Sequence, residues 1–202
     1  MELTKDSLII GEWNDAPIRI HWTVILCAFL FGRLDFMPIF WIAFLFLVIA
    51  HEFGHAIIIR KFGFWVEEIV LQGIGGYCRW AGDATEMQET IISWGGILAQ
   101  LVLMALAQIA IMIFGPPTNI YTFQIYHAFI GANLWMILFN LMPIEPLDGA
   151  KAWGILDVIR DYVNDKLKAK KHRRQDKKIA KEMNRIMSIE VPPEKMEEKE
   201  KF

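Results

Sequence analysis

At 202 residues the chain has room for one domain, and 54% apolar with 13% aromatic residues is more apolar matter than a soluble globule ordinarily carries. The net charge of −2 averages two materials, because 13 of the 21 Lys and Arg lie from Lys166 onward. Cys27 and Cys78 have neither framework nor zinc-ribbon spacing, which argues against a disulfide scaffold and a thiolate metal site and leaves two free thiols.

The first segment, 1–17, is polar and mildly acidic, without the basic start, apolar stretch and cleavage site of a secretory signal, so it is expected to be a cytoplasmic N-terminal segment. Apolar stretches at 18–34, 37–60, 88–114 and 123–145 approach or reach the length that crosses a hydrocarbon core. The first is the weakest, opened by Arg19 and His21 and closed by Arg33 and Asp35. Between the second and third, Val66, Ile69 and Leu71 precede Gly73-Ile74-Gly75-Gly76-Tyr77, the pattern of a strand or hairpin with close backbone approach.

After Gly149, Trp153, Leu156, Ile159 and Val163 recur at helical spacing among acids, which predicts an interfacial amphipathic helix over 150–167. The charged tail, 168–202, is expected to be cytoplasmic, helical to about Met187 and disordered around Pro192-Pro193. The predicted fold is an all-α polytopic membrane protein of about four transmembrane helices, with a small membrane-associated β-hairpin between spans two and three and a core at 18–149. Lys5, Arg19, Arg60, Lys61, Arg79 and the tail fall on one side and only Arg33 on the other, so both termini are expected in the cytoplasm.

The second span carries His51-Glu52-Phe53-Gly54-His55. Residues four apart share a helix face, so His51 and His55 can both present ring nitrogens to one zinc ion, with Glu52 beside it as general base for a water. Two stacked core histidines would instead leave Glu52 buried and unpaired. His51 precedes Arg60 by nine residues, a depth of about 13.5 Å where ionisable groups are costly and usually functional.

Asp148, in Asn140-Leu141-Met142-Pro143-Ile144-Glu145-Pro146-Leu147-Asp148-Gly149, is a candidate third ligand at the same membrane face; the alternative is a helix N-cap. Pro143 and Pro146 free backbone carbonyls there, which a water-accessible cleft would satisfy. His127 precedes Asp148 by 21 residues, about 31 Å of helix, and is excluded from the same metal. His21 is a candidate gate or outer-layer partner of the site. Asn140 could donate to an oxyanion or simply bond another helix. The Gly75-Gly76 segment could accept an unwound substrate as an added strand, or be a turn.

These residues resemble the site-2 protease family of intramembrane zinc metalloproteases, particularly compact bacterial and archaeal members related to the sporulation factor-processing protease. The resemblance covers about 18–153: His51 through His55 is similar to the first metal motif, and Asn140 through Gly149 to the second, whose Asp completes the site. It implies one Zn²⁺ per chain held by His51, His55 and Asp148, catalysis by Glu52, substrate positioning by Asn140, and substrate contact at Gly75-Gly76-Tyr77. Ile20-His21-Trp22 is similar to the entry of the first span. Trp94-Gly95-Gly96-Ile97 departs from the family's usual Gly-Pro pair, and no segment resembles a PDZ domain or a CBS pair.

The implied function is hydrolysis of a peptide bond in a transmembrane or membrane-adjacent segment of a protein substrate, in a prokaryotic plasma membrane. The alternative is a non-catalytic receptor or zinc-binding regulator with the same fold. A di-metal carboxylate bundle needs a second Glu-x-x-His, which the sequence lacks. Membrane lipid is the expected surrounding, anionic lipid a candidate partner of the basic tail, an oligomer is open, and no nucleic acid is expected.

Overall fold

The structure, a computed structural model, describes residues 7–32, 34–73 and 76–190. Lys5, Arg33, Gly75 and the Pro192-Pro193 stretch, all used above, lie outside the described residues. In chain order the elements are β1 (Ser7–Trp13), β2 (Ala16–His21), α1 (Thr23–Phe31), α2 (Pro38–Lys61), β3 (Trp65–Leu71), β4 (Tyr77–Ala81) and α3 (Glu86–Phe114). They are followed by α4 (Ile120–Tyr126), a π-helical turn (His127–Ala132), α5 (Asn133–Asn140), α6 (Gly149–Ala152) and α7 (Ile155–Glu190).

The fold is mostly helical but not all-α. Four strands form one mixed sheet in the order β1-β2-β3-β4, with β2 parallel to β3 and the other pairs antiparallel. The expected hairpin between spans two and three is present as β3–β4, yet it is half of this larger sheet. The other half comes from a tight hairpin whose central Asn14 and Asp15 adopt φ of 49° and 67°, the left-handed pair that a two-residue turn between twisted strands requires. Because β2 takes Ala16–His21, the stretch expected to span at 18–34 retains only the nine-residue α1.

Glu68 on β3 ties the sheet together, its carboxylate lying 3.5 Å from Arg19 Nε on β2 and 3.3 Å from Arg79 Nε on β4. Two of the cations used to orient the chain are thus partly neutralised within the sheet.

Among the described residues, two helices are long and apolar enough to cross a membrane, α2 and α3. Helix α2 buries Phe40, Phe44, Leu47 and Ile59 in the main core, whereas α3 leaves Leu98, Val102, Leu106 and Ile109 exposed. Hydrocarbon is the solvent that suits such a surface. The two helices meet at their backbones: a Cβ on Gly54 would collide with the Gly95 carbonyl, and one on Gly95 would lie 2.6 Å from the Gly54 carbonyl oxygen. Small residues at a helix crossing permit this approach.

Helix α2 begins with Pro38, which lacks the N–H that a first helical turn cannot use. Its next two donors, the Ile39 and Phe40 amides, give hydrogen bonds to buried Gln124 Oε1 at 3.1 and 3.2 Å. The helical run from Ile120 to Asn140 is interrupted by the π-helical turn, where Asn133 Nδ2 donates to the carbonyls of Phe129 (3.3 Å) and Gln100 (2.9 Å). It stops before the predicted end at 145 because residues preceding Pro143 are steered away from helix. The chain divides into two compact units, one ending at Ile155 and one beginning at Leu156, the latter consisting of α7 in its described part.

Replacing Gln124 with Leu keeps the volume but strands the two amides at the start of α2. The expected cost is about 1–3 kcal/mol, read as a lower midpoint of thermal unfolding in detergent; an unchanged midpoint would contradict the capping role.

Candidate metal centre

His51 and His55 lie one turn apart on α2, both buried, with ring centroids 4.8 Å apart. Asp148 arrives from the turn after α5. The three atoms that converge are His51 Nε2, His55 Nε2 and Asp148 Oδ2: the nitrogens are 3.2 Å apart and the oxygen is 3.0 Å from the first and 3.3 Å from the second. Ligands about 2.0–2.1 Å from a tetrahedral zinc are separated by about 3.3 Å. The donor set therefore fits three corners of such a site, and these three residues could hold a metal ion.

The tautomer of His55 favours the same reading. His55 Nδ1–H donates to the Ile92 carbonyl at 2.7 Å, which leaves the Nε2 lone pair free for a metal. Asp148 occupies the N-cap position of α6, but its side chain makes no capping hydrogen bond; it points to the histidines instead.

The turn bearing Asp148 folds back on the end of α5. Gly149 packs directly on the Leu141 and Met142 backbone, and Trp153 Nε1 donates to the Leu141 carbonyl at 2.8 Å. A carbonyl freed by the proline-containing segment thus acquires an indole partner. Helix α6 is held to α3 by Thr90 Oγ1 and Trp94 Nε1, which donate to the carbonyls of Lys151 (3.2 Å) and Ala152 (3.0 Å).

Glu52 is 1% exposed and its Oε2 has no hydrogen-bond partner among the described residues. It lines two cavities, whose walls share Glu52, Gly76 and Leu147. One, of about 290 Å³, is mostly apolar and is bounded by Cys27, Phe31, Val48, Met136 and Phe139, with His51 and Asn140 facing it. The other, of about 350 Å³, is bordered by His55, Asp148, Glu89, Ser93, Glu145 and Lys151, with an ion pair of 2.9 Å between Lys151 Nζ and Glu89. A buried carboxylate between an apolar chamber and a polar one can exchange a proton with water on one side and reach a polypeptide on the other.

The remaining predicted residues fall at different distances from this centre. Asn140 is adjacent, its Nδ2 3.4 Å from His51 Nε2. Gly76 passes so close over Glu52 that a Cβ there would collide with Oε1; Gly75 lies outside the described residues. His21 is buried at the end of β2, one step removed: its Nδ1 lies 2.9 Å from Thr23 Oγ1, which accepts from the Gly73 amide at 3.3 Å. His127 packs against Phe40 and Phe123, at 5.1 and 6.1 Å between ring centroids, at the opposite end of α2.

Sequence reasoning missed Gly96. A Cβ there would stand 2.5 Å from both His51 Cε1 and His55 Nε2, so α3 forms the floor beneath the two imidazoles. A Gly pair within an apolar helix was the available signal. The Ile92 carbonyl had none, because any residue carries that group.

Gly96→Ala should push both rings out of register and weaken metal binding by about 10–100-fold, the effect of disturbing groups that orient ligands, measured by zinc retention against a competing chelator. Wild-type retention would overturn the role assigned to Gly96. Burial, reinforced by the Glu52 carboxylate, pushes the Cys78 thiol up to about 12. A raised thiol pKa keeps the unreactive protonated form through neutral pH, so iodoacetamide at neutral pH should label Cys78 slowly in the folded protein and rapidly after denaturation. Equal rates would show that the thiol is not shielded.

Residues 39–124 match the model of Peptidase family M50. Rip3 of Mycobacterium tuberculosis is 27% identical over 167 residues, covering 73% of this chain and 42% of the relative. A zinc metalloprotease of Methanocaldococcus jannaschii is 31% identical over 141 residues, covering 67% of this chain and 41% of the relative. The chain thus spans less than half the length of these two curated relatives. The solved structure of the site-2 protease from Methanocaldococcus jannaschii superposes with a TM-score of 0.58 at 26% identity, covering 74% of this chain and 71% of that one. The family match takes in α2 from its second residue, β3, β4 and all of α3, and the solved site-2 protease shares the fold beyond that stretch, so the chain is similar to Peptidase family M50 over the elements that carry His51, Glu52 and His55.

Proposed function

We propose that the chain is an intramembrane zinc metalloendopeptidase that cleaves a transmembrane or membrane-adjacent segment of a protein substrate. The observation that carries this reading is the placement of Glu52: buried in an apolar helix, next to three atoms spaced as tetrahedral ligands, and lining both an apolar and a polar cavity.

In this reading His51, His55 and Asp148 hold the metal, which when bound supplies Lewis acidity that makes water a nucleophile near neutral pH. Glu52 accepts the proton of the attacking water and later delivers it to the leaving amine. Asn140 Nδ2 donates to the carbonyl oxygen as negative charge develops on it. The apolar chamber admits the unwound substrate and the polar chamber admits water. Gly76 lets a substrate backbone pass close to Glu52, while His21, through Thr23, holds Gly73.

The membrane arrangement belongs to the same proposal. Helices α2 and α3 are full spans, the Ile120–Asn140 run is a further span, and α1 a short, tilted entry. Both termini are cytoplasmic in a prokaryotic plasma membrane, with 18–149 as the catalytic core, 150–167 at the interface and 168–202 as the tail. Processing of a single-span regulatory protein is the substrate class that suits this architecture.

Glu52→Gln should retain zinc while lowering cleavage of co-reconstituted single-span substrates by about 10²–10⁴-fold, as read by mass spectrometry of the products. Full activity in that variant would refute Glu52 as the base. Zinc bound by the wild type with no turnover of any membrane peptide would instead favour a non-catalytic zinc-binding regulator.

A further inference from the structure

We propose that α7 is a docking helix for an anionic bilayer surface, an inference that rests on the interfacial placement of 150–167 proposed above and not on the peptidase chemistry. It is a 36-residue helix, and the stripe it presents is apolar at one end and basic at the other. At 100° per residue, Leu156, Ile159, Val163 and Leu167 share one face, and all four are about half exposed or more, at 58, 52, 47 and 59%. The same three- and four-residue steps carry that stripe onward through Lys170, Arg174, Lys177 and Lys181. Asp157, Asp161, Asp165 and Asp176 fall on the opposite side.

The charge is concentrated as well as segregated: residues 166–181 contain nine Lys and Arg and a single acid, Asp176. Two acids find partners locally, Asp157 with Arg160 at 2.8 Å and Asp165 with Lys168 at 3.8 Å. Tyr162 has Lys166 Nζ 4.7 Å from its ring, an amphipathic pairing suited to the headgroup level.

A second copy of the chain is a poor occupant for this face, since parallel apposition of the stripes would bring like charges together over half their length and antiparallel apposition would bury each basic half against an apolar one. An anionic bilayer satisfies both halves. The apolar turns sink roughly 5–10 Å into the headgroup boundary, and the basic turns lie along the phosphates, each contributing about 1 kcal/mol near the surface.

The test is hydrogen–deuterium exchange on the full chain reconstituted in phosphatidylcholine vesicles with and without phosphatidylglycerol. Amides of 156–181 should exchange about tenfold or more slowly in the anionic vesicles, with the protection lost at high salt. Combined Lys170→Gln, Arg174→Gln and Lys177→Gln, each worth about fivefold in binding, should abolish a tenfold protection, while Asp161→Asn with Asp165→Asn should not reduce it. Equal exchange in both lipids would overturn the proposal. So would protection that follows protein density rather than lipid charge, the signature of a second copy, or equal loss in the acidic-face variant.

Discussion

The contact on which the metal centre depends is the backbone crossing of α2 and α3 at Gly54 and Gly95, where no side chain separates the helices. Close approach makes the next residue, Gly96, a floor under both imidazoles, and it brings the Ile92 carbonyl within 2.7 Å of His55 Nδ1. A larger residue at the crossing would hold the helices apart and withdraw the floor and the hydrogen bond together. Ligand geometry in an apolar helix is thus set by the absence of side chains on its neighbour.

A second set of contacts delivers the carboxylate. The turn after α5 cannot continue as helix once Pro143 is reached, and it folds back because Gly149 tolerates the Leu141 and Met142 backbone at close range. Trp153 and Trp94 use their indole N–H groups to bind carbonyls of this turn and of α6. Asp148 is thereby held against the histidines with few torsions of its own to lose, the condition for a preorganised site.

The sheet brackets the centre from the other side. Its β3–β4 half leads through Gly76 to Glu52, while the β1–β2 half anchors His21 and, through Thr23, the Gly73 amide. Both the site's lining and its approach therefore depend on pairing between β2 and β3, two strands separated in sequence by α1 and α2.

Much of this was legible in the residues. Histidines four apart on an apolar helix face one another whatever the fold, and a helix period makes His51, Glu52 and His55 a unit; long apolar runs likewise announce α2 and α3. The N-terminal hairpin is readable too, in Asn14-Asp15 between apolar residues, but the polarity of 1–17 points only to a cytoplasmic segment and assigns it no strand, and the first span is overextended as a result. Sequence alone left Asp148 divided between cap and ligand, because an Asp before a Gly suits both and only the fold-back of its turn selects the direction in which it points. It was silent on Gly96 as the floor of the site and on the two chambers that meet at Glu52. Local periodicity determines which groups share a face; which surface they face, at what distance and in what solvent, is decided by contacts between segments far apart in the chain.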